Sequence, residues 1–397
     1  MDQTKVIESL ATLAQQEPQP EIFDEDRVAE EEAALYEAAV EAFGSWSIAL
    51  GAALCAAHAH PASRRVRDDE GPQAPAYEQA PESRVVTEAA SHPLYLLSDE
   101  GHLSKIPLHR LVETGVDTWA DLPDGPQRNA WPERLHMGEE DDTFFALGAD
   151  GRGGILHGLH FAQWQPDARP SKWVDRVLQA DDVPVVAMFP RRHLRLLPRL
   201  YAVATDGQIK ASDADEYAKR VGNEAIDVIL PRSGAAAQTM FVAAKDAPIF
   251  LASSNGKAIV FDASELRSQG RKAQGVRGIL LDDDAYTVSA FPVDTEEIVL
   301  VTEQGYVKRM LTEDYRPQGR GGGGLQTCRL HPGDRVLSIL PAVIEDDLMV
   351  LASDGQYLRV PLWKVPPMGR AARGEALVAP PAGQQLLSVS TVPAGKL

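Results

Sequence analysis

The sequence predicts an all-β fold, a closed disc of six blades with about four strands per blade, preceded by a short acidic α-helical region. Three observations predict it. Short β-type runs end in a turn glycine six times. Those glycines recur at a near-constant spacing. The stretch after each turn also reads as strands.

In chain order, the run at 94–97 leads to Gly101, 144–147 to Gly151 and 201–204 to Gly207. The run at 249–252 leads to Gly256, 298–301 to Gly305 and 348–351 to Gly355. Successive glycines lie 50, 56, 49, 49 and 50 residues apart. Asp150-Gly151, Asp206-Gly207, Asn255-Gly256 and Asp354-Gly355 are dipeptides that supply the positive φ of a tight hairpin. The second half of a repeat reads as two further strands, for example 276–281 then 286–293, and 325–330 then 336–343. A unit of this size cannot bury both faces alone, so the units must stack around an axis. The blades are expected near residues 91–142, 143–198, 199–247, 248–296, 297–346 and 347–397.

The chain has 397 residues, of which 44% are hydrophobic, enough apolar mass for a sizeable core. Its two cysteines, Cys55 and Cys328, exclude a disulfide scaffold or a Cys-rich zinc module and fit a reducing compartment. No secretory leader is read at the start, and the longest apolar run is about half a membrane span. The formal net charge is −19, which argues against indiscriminate nucleic-acid binding. Residues 1–90, however, carry 18 acidic and 6 basic side chains. The repeats are left at −7.

Residues 1–60 read as an acidic helical region. Val6, Leu10 and Leu13 share one face, Tyr36, Val40 and Phe43 another, and Gly44 and Pro61 suit helix ends. Residues 61–90, rich in Pro, Glu, Arg, Gln and Ala, read as a flexible linker. The acidic helices are either a solvated surface or a polyanion that the linker holds at high effective concentration near basic residues of the repeats.

The last three repeats share Gly-Arg-x-x-x-Gly. It stands at Gly270-Arg271 to Gly275, at Gly319-Arg320 to Gly324, and at Gly369-Arg370 to Gly374. With Gln304-Gly305-Tyr306-Val307-Lys308-Arg309 and Glu313-Asp314-Tyr315-Arg316, these repeats closely resemble the C-terminal β-pinwheel of the DNA gyrase and topoisomerase IV A subunit. The resemblance covers residues ~91–397. It implies a rim that binds and bends duplex DNA for a strand-passage enzyme, in the cytoplasm at the bacterial nucleoid. Two departures stand out. Residues 111–117, Leu-Val-Glu-Thr-Gly-Val-Asp, lie where the gyrase first blade carries Gln-Arg-Arg-Gly-Gly-x-Gly; the fifth repeat has the nearest copy, Gln318 to Gly324. Further, none of the nine tyrosines follows an arginine as the family's cleaving tyrosine does, and no phosphate loop for ATP is present. The expectation is a non-enzymatic chain without cofactor, acting on double-stranded DNA either beside a separately encoded topoisomerase core or as a nucleoid protein, with no membrane role. The alternative is a propeller turned into a protein-interaction platform.

Binding a duplex without reading its sequence requires Lys and Arg spaced to meet phosphates, with glycine backbone closing in. Two groups are candidates. The first follows the hairpin glycines: Lys105, Lys210, Lys257, Lys308, Arg309 and Arg359. The second lies in and around the boxes: Arg267, Arg271, Lys272, Arg277, Arg316, Gln318, Arg320, Gly321, Gly322, Gly324, Arg370 and Arg373. The competing reading of the first group is the wet face of a half-buried sheet. Neither His58 with His60 nor His157 with His160 has the geometry of a metal pair on regular structure, and no metal site is expected. The net charge of the repeats predicts weak, salt-sensitive binding on a limited arc.

Overall fold

A computed structural model of the chain describes residues 93–97, 103–107, 134–137, 143–158, 161–163, 177–179, 183–219, 224–353, 357–380 and 384–392. All lie in the unit Ser91–Leu397. The expected helices and linker of residues 1–90, and residues 111–117, fall outside the described residues.

The first repeat supplies β1 (Pro93–Leu97), β2 (Leu103–Pro107) and β3 (Arg134–Met137). The second supplies β4 (Thr143–Gly148), β5 (Arg152–His157), β6 (Ala162–Gln163) and β7 (Val185–Pro190). The third supplies β8 (Arg199–Ala204), β9 (Gln208–Asp213), β10 (Ile226–Asp227) and β11 (Ala237–Ala243). The fourth gives β12 (Pro248–Ser253), β13 (Lys257–Asp262), β14 (Val276–Arg277) and β15 (Thr287–Pro292). The fifth gives β16 (Glu297–Thr302), β17 (Tyr306–Leu311), β18 (Leu325–Gln326) and β19 (Val336–Ala342). The sixth gives β20 (Asp347–Ala352), β21 (Tyr357–Pro361), β22 (Glu375–Ala376) and β23 (Leu386–Val392). Two single-turn helices, α1 (His193–Leu196) and α2 (Asp215–Ala218), flank the third repeat's hairpin on either side.

The strands form five four-stranded sheets and a sixth, β21-β20-β23, that has three strands among the described residues. The expectation of six four-stranded blades is corrected to that extent. A second correction concerns the short third strand of each repeat, read as part of its own blade. It pairs instead with the preceding repeat: β6 with β2, β10 with β5, β14 with β9, β18 with β13 and β22 with β17. It is two residues long rather than six, because it meets its partner only where the chain crosses the neighbouring sheet's edge.

That exchange explains the periodic glycine. Gly151, Gly207, Gly256 and Gly305 have φ between 79° and 86°, in the left-handed region. Their carbonyls accept amides from the chain just past the next repeat's exchanged strand. The pairs are Val228 to Gly151 at 2.9 Å, Gly278 to Gly207 at 2.8 Å, Thr327 to Gly256 at 2.8 Å and Val378 to Gly305 at 3.2 Å. The turn glycine is a hairpin residue and a docking point at once.

The central hairpin strands are buried on both faces. Ile249 and Leu251 pack with Tyr201, Val203 and Ile209 of the sheet before, whereas Phe250 and Ala252 pack with Ile298, Leu300 and Met310 of the sheet after. Alternate side chains of a strand point to opposite faces, so an unbroken apolar run is the signature of a sheet packed on both sides. Each large aliphatic or Phe side chain among them contributes roughly 1.5–3 kcal/mol on burial. The inner strands β7, β11, β15, β19 and β23 neighbour one another in order, and β23 neighbours β3. Tyr95 joins the first and second sheets, its ring 4.6 Å from Phe144 and 4.7 Å from Phe161, edge to face. Among the described residues no helix is long and apolar enough to cross a membrane.

Candidate nucleic-acid interface

Between the hairpin and the exchanged strand, the Gly-Arg-x-x-x-Gly segments of repeats four to six form straps. Each strap lies over the preceding repeat's sheet, because the strand it leads into belongs there. Its entry is fixed by one recurring hydrogen bond. The amide of Gln269 donates to Ala211, that of Gln318 to Val260 and that of Met368 to Arg309, at 2.8, 2.8 and 2.9 Å. Its exit is fixed by the closing glycine. Gly275, Gly324 and Gly374 have φ of 85°, 72° and 89°. A β-carbon there would stand 2.6, 2.7 and 3.0 Å from the carbonyl oxygens of Ile209, Ala258 and Val307. Gly324, expected to face phosphate, therefore meets protein backbone. The opening glycines Gly270, Gly319 and Gly369 have nothing within 4 Å of that position and lie on open surface.

Each strap is hydrogen-bonded to the chain in or just past the preceding repeat's exchanged strand. Leu230, just past β10, donates its amide to Ala273 of the fourth repeat's strap at 3.0 Å. Gly321 donates to Gly278 at 2.7 Å, and Leu280 donates to Gly322 at 2.9 Å, linking the fourth repeat to the fifth. An Arg370 guanidinium N–H reaches the Gln326 carbonyl at 3.5 Å, linking the fifth to the sixth. On this arc Arg267, Arg271, Lys272, Arg277, Arg316, Arg320 and Arg373 are exposed. Arg370 is half-buried, its guanidinium 5.7 Å from the Tyr315 ring centroid. Gln318 and Gly322 are half-buried within the strap, and Gly321 is turned toward the Arg277 side chain.

Carboxylates temper the arc in two places. Glu265 accepts from the Arg320 amide at 3.0 Å through its carboxylate, and from Arg320 Nε at 3.3 Å through its carbonyl. Arg271 and Lys272 line a groove together with Glu216 and Asp227.

The hairpin cations have a different fate. Lys105 is 9% exposed, Lys210 1%, Lys308 0% and Arg309 2%. None is placed to meet a phosphate, because neighbouring sheets and straps cover both faces of the strands that carry them. The ammonium of Lys210 donates to the carbonyls of Val228 (2.5 Å) and Arg271 (2.8 Å). That of Lys308 donates to Thr327 (2.7 Å), Gly369 (3.1 Å) and Arg370 (2.6 Å). Burial pushes both lysines down to about 8; Glu216 and Asp227 oppose this at Lys210, where Arg271 adds to it, and at Lys308 Cys328 opposes and Arg370 adds. Arg309 bonds the Val365 carbonyl at 2.9 Å and pairs with Glu297. Arg359 pairs with the buried carboxylate of Asp347 through Nε at 2.7 Å, and Lys257 with Asp282 at 2.7 Å.

Sequence reasoning passed over two residues on this surface. Glu265 is engaged with Arg320 across 55 residues, a pairing without a local signal. Arg329 is exposed three residues past Gln326, beyond the exchanged strand β18. Its counterpart in the fourth repeat is Leu280, so no repeat pattern marks it.

Residues 247–294, 296–342 and 346–393 match the family model described as the DNA gyrase C-terminal domain, beta-propeller. The chain is 34% identical over 137 residues to the DNA gyrase A subunit of Chlamydia pneumoniae, a match covering 34% of this chain and 16% of that protein. It is 34% identical over 148 residues to the DNA gyrase A subunit of Staphylococcus epidermidis, covering 36% of this chain and 17% of that protein. The chain thus spans about a sixth of the length of these relatives. Its fold is similar to a crystal structure of the C-terminal domain of DNA topoisomerase IV, with TM-score 0.59 and 16% identity over 78% of this chain and 97% of that one. It is also similar to the DNA gyrase A C-terminal domain, with TM-score 0.63 and 18% identity over 76% and 99%.

Proposed function

From the premise that the last three repeats of this chain are of the DNA gyrase C-terminal β-propeller family, we propose that it binds duplex DNA without regard to sequence, on the arc made by their straps. The observation that carries this is the contiguity of the straps. Three Gly-Arg segments, each hydrogen-bonded to the chain in or just past the preceding repeat's exchanged strand, carry with their flanks Arg267, Arg271, Lys272, Arg277, Arg316, Arg320, Arg370 and Arg373. Guanidinium groups suit phosphate, and the open glycines Gly270, Gly319 and Gly369 let backbone approach closely. Bending the duplex along this arc would serve a topoisomerase that passes one DNA segment through another. The chain would do this as the binding part of such an enzyme or beside a separately encoded core, and within the cell it would reside with the nucleoid. No catalytic step is assigned to it.

Anisotropy of a labelled ~40 bp duplex, titrated with the full chain from ~50 to ~200 mM salt, tests the proposal. Binding that weakens linearly with log salt supports it. Absence of binding at ~50 mM salt removes it and favours a second reading, a protein-interaction surface, to which the Glu265–Arg320 and Asp282–Lys257 contacts and the −7 of the repeats already lend weight.

A further inference from the structure

The place three residues past the turn glycine is Lys210 in the third repeat, Ile259 in the fourth and Lys308 in the fifth. All three pair with the same place on the adjoining strand: Ala202 with Lys210, Leu251 with Ile259, Leu300 with Lys308. All three are buried, and all three point at the strap of the following repeat. Ile259 meets its strap through an apolar contact, 3.5 Å from where a Gly322 β-carbon would be. The lysines meet theirs by donating to backbone carbonyls, and the strap carbonyl common to both is that of the arginine of Gly-Arg, Arg271 for Lys210 and Arg370 for Lys308, with Gly369 a further acceptor for Lys308. Resting on the DNA-binding reading above, we infer that Lys210 and Lys308 are positioning residues that fix the backbone of Arg271 and Arg370 from beneath, so that their guanidinium groups present to phosphate.

The physical argument begins with what the straps lack. Gly270 and Gly369 open them with no packing of their own, and glycine gives the chain its widest conformational freedom. An arginine after such a residue gains little from phosphate if its backbone must first be ordered. A buried ammonium supplies charge-assisted hydrogen bonds to the carbonyl beside that glycine, and so settles the ordering cost before DNA arrives. The fifth repeat's strap has no lysine beneath it. It has the contact of Arg320 with Glu265 instead, which holds the strap from outside. Repeats four and six therefore carry a strap fixed from below, in repeat six with Arg370 also reaching the Gln326 carbonyl, while repeat five carries one fixed through the contacts of Arg320 with Glu265.

The lysines are replaceable without predicted loss of the fold, since the fourth repeat already seats an apolar side chain, Ile259, at this place. The test uses the full chain, a labelled ~40 bp duplex, and hydrogen exchange of the strap amides. Lys210→Met is expected to speed exchange in residues 269–275 and around its second partner Val228, and Lys308→Met in residues 368–374 and around Thr327, with neither variant changing the other's strap. Each is expected to weaken DNA binding about three- to tenfold. A double-mutant cycle separates positioning from general structure. Lys308→Met should add little to the loss caused by Arg370→Ala, and Lys210→Met little to that of Arg271→Ala. Wild-type binding with unchanged affinity in both lysine variants would overturn the inference, as would full additivity in both cycles. A wild-type chain that does not bind the duplex overturns the DNA-binding reading itself and takes the inference with it. That outcome is distinct from one in which only the variants behave like wild type.

Discussion

The amide of Cys328 donates to the carbonyl of Gly256 at 3.2 Å, and the Cys328 carbonyl oxygen stands 2.7 Å from where a β-carbon on residue 256 would be. With φ of 79°, Gly256 is also in the left-handed region. A side chain there meets backbone strain of about 1–2 kcal/mol and a backbone oxygen that cannot swing away. Gly256→Ala is therefore expected to destabilise the chain by roughly 2 kcal/mol or more. Gly270→Ala, at a place with open space and no left-handed φ, should stay within about 0.5 kcal/mol. Urea unfolding of the two variants checks both.

Removal of strap arginines should lower the salt dependence of DNA binding. Each phosphate that no longer meets a cation takes about 1 from the slope of log K against log salt. Arg271→Ala with Arg373→Ala is expected to reduce it by about 2. Arg359→Ala should leave the slope unchanged, because that guanidinium is engaged with Asp347. Equal slopes for all three proteins would remove Arg271 and Arg373 from the interface.

Arg359 matters in another way. Asp347 is 0% exposed, and its carboxylate would lose a charged partner to Arg359→Gln. Breaking one side of a buried pair costs about 3–5 kcal/mol, less where one partner is partly solvated as Arg359 is. A loss of about 2–3 kcal/mol in unfolding free energy is expected, with DNA affinity per folded molecule unaltered.

Stability should pass through a maximum at about pH 10. Lys210 and Lys308 titrate at about 8 in the folded chain, burial being the main cause. Between that value and the ordinary lysine range, the unfolded chain holds protons that the folded chain has released, so stability rises with pH. Above about 10 the sign reverses. Burial raises Tyr201 and Tyr217 to about 12, so the folded chain keeps protons that the unfolded chain has lost. Urea midpoints from pH 7 to 11 should trace a rise and then a fall. The rise should flatten in a Lys210→Met, Lys308→Met double variant.

The alternation of apolar runs and turn glycines is enough to read the hairpins, because a β-hairpin is a local object. The runs at 249–252 and 298–301 coincide with β12 and β16, and Gly151, Gly207, Gly256 and Gly305 do adopt the left-handed turn. The Gly-Arg-x-x-x-Gly boxes are likewise legible as the basic surface. Lys210 and Lys308 are misplaced by sequence reasoning for one reason. A lysine on a short strand rich in apolar residues looks solvated when a strand has one wet face, and only the stacking of a second sheet and a strap removes that face.

Sequence by itself therefore determined the repeat, the hairpin in each repeat and the chemistry of the straps, all set by residues within a few positions of one another. Tertiary structure alone decided which sheet each short strand joins. It thereby decided that the basic segment of one repeat covers the blade of the repeat before, and which cations are left at the surface. Pairings such as Lys308 with Arg370 or Gly256 with Cys328 span some sixty to seventy residues. No local pattern encodes them, because they exist only once each repeat has given a strand to its neighbour and the buried ammonium groups have found carbonyls in place of water.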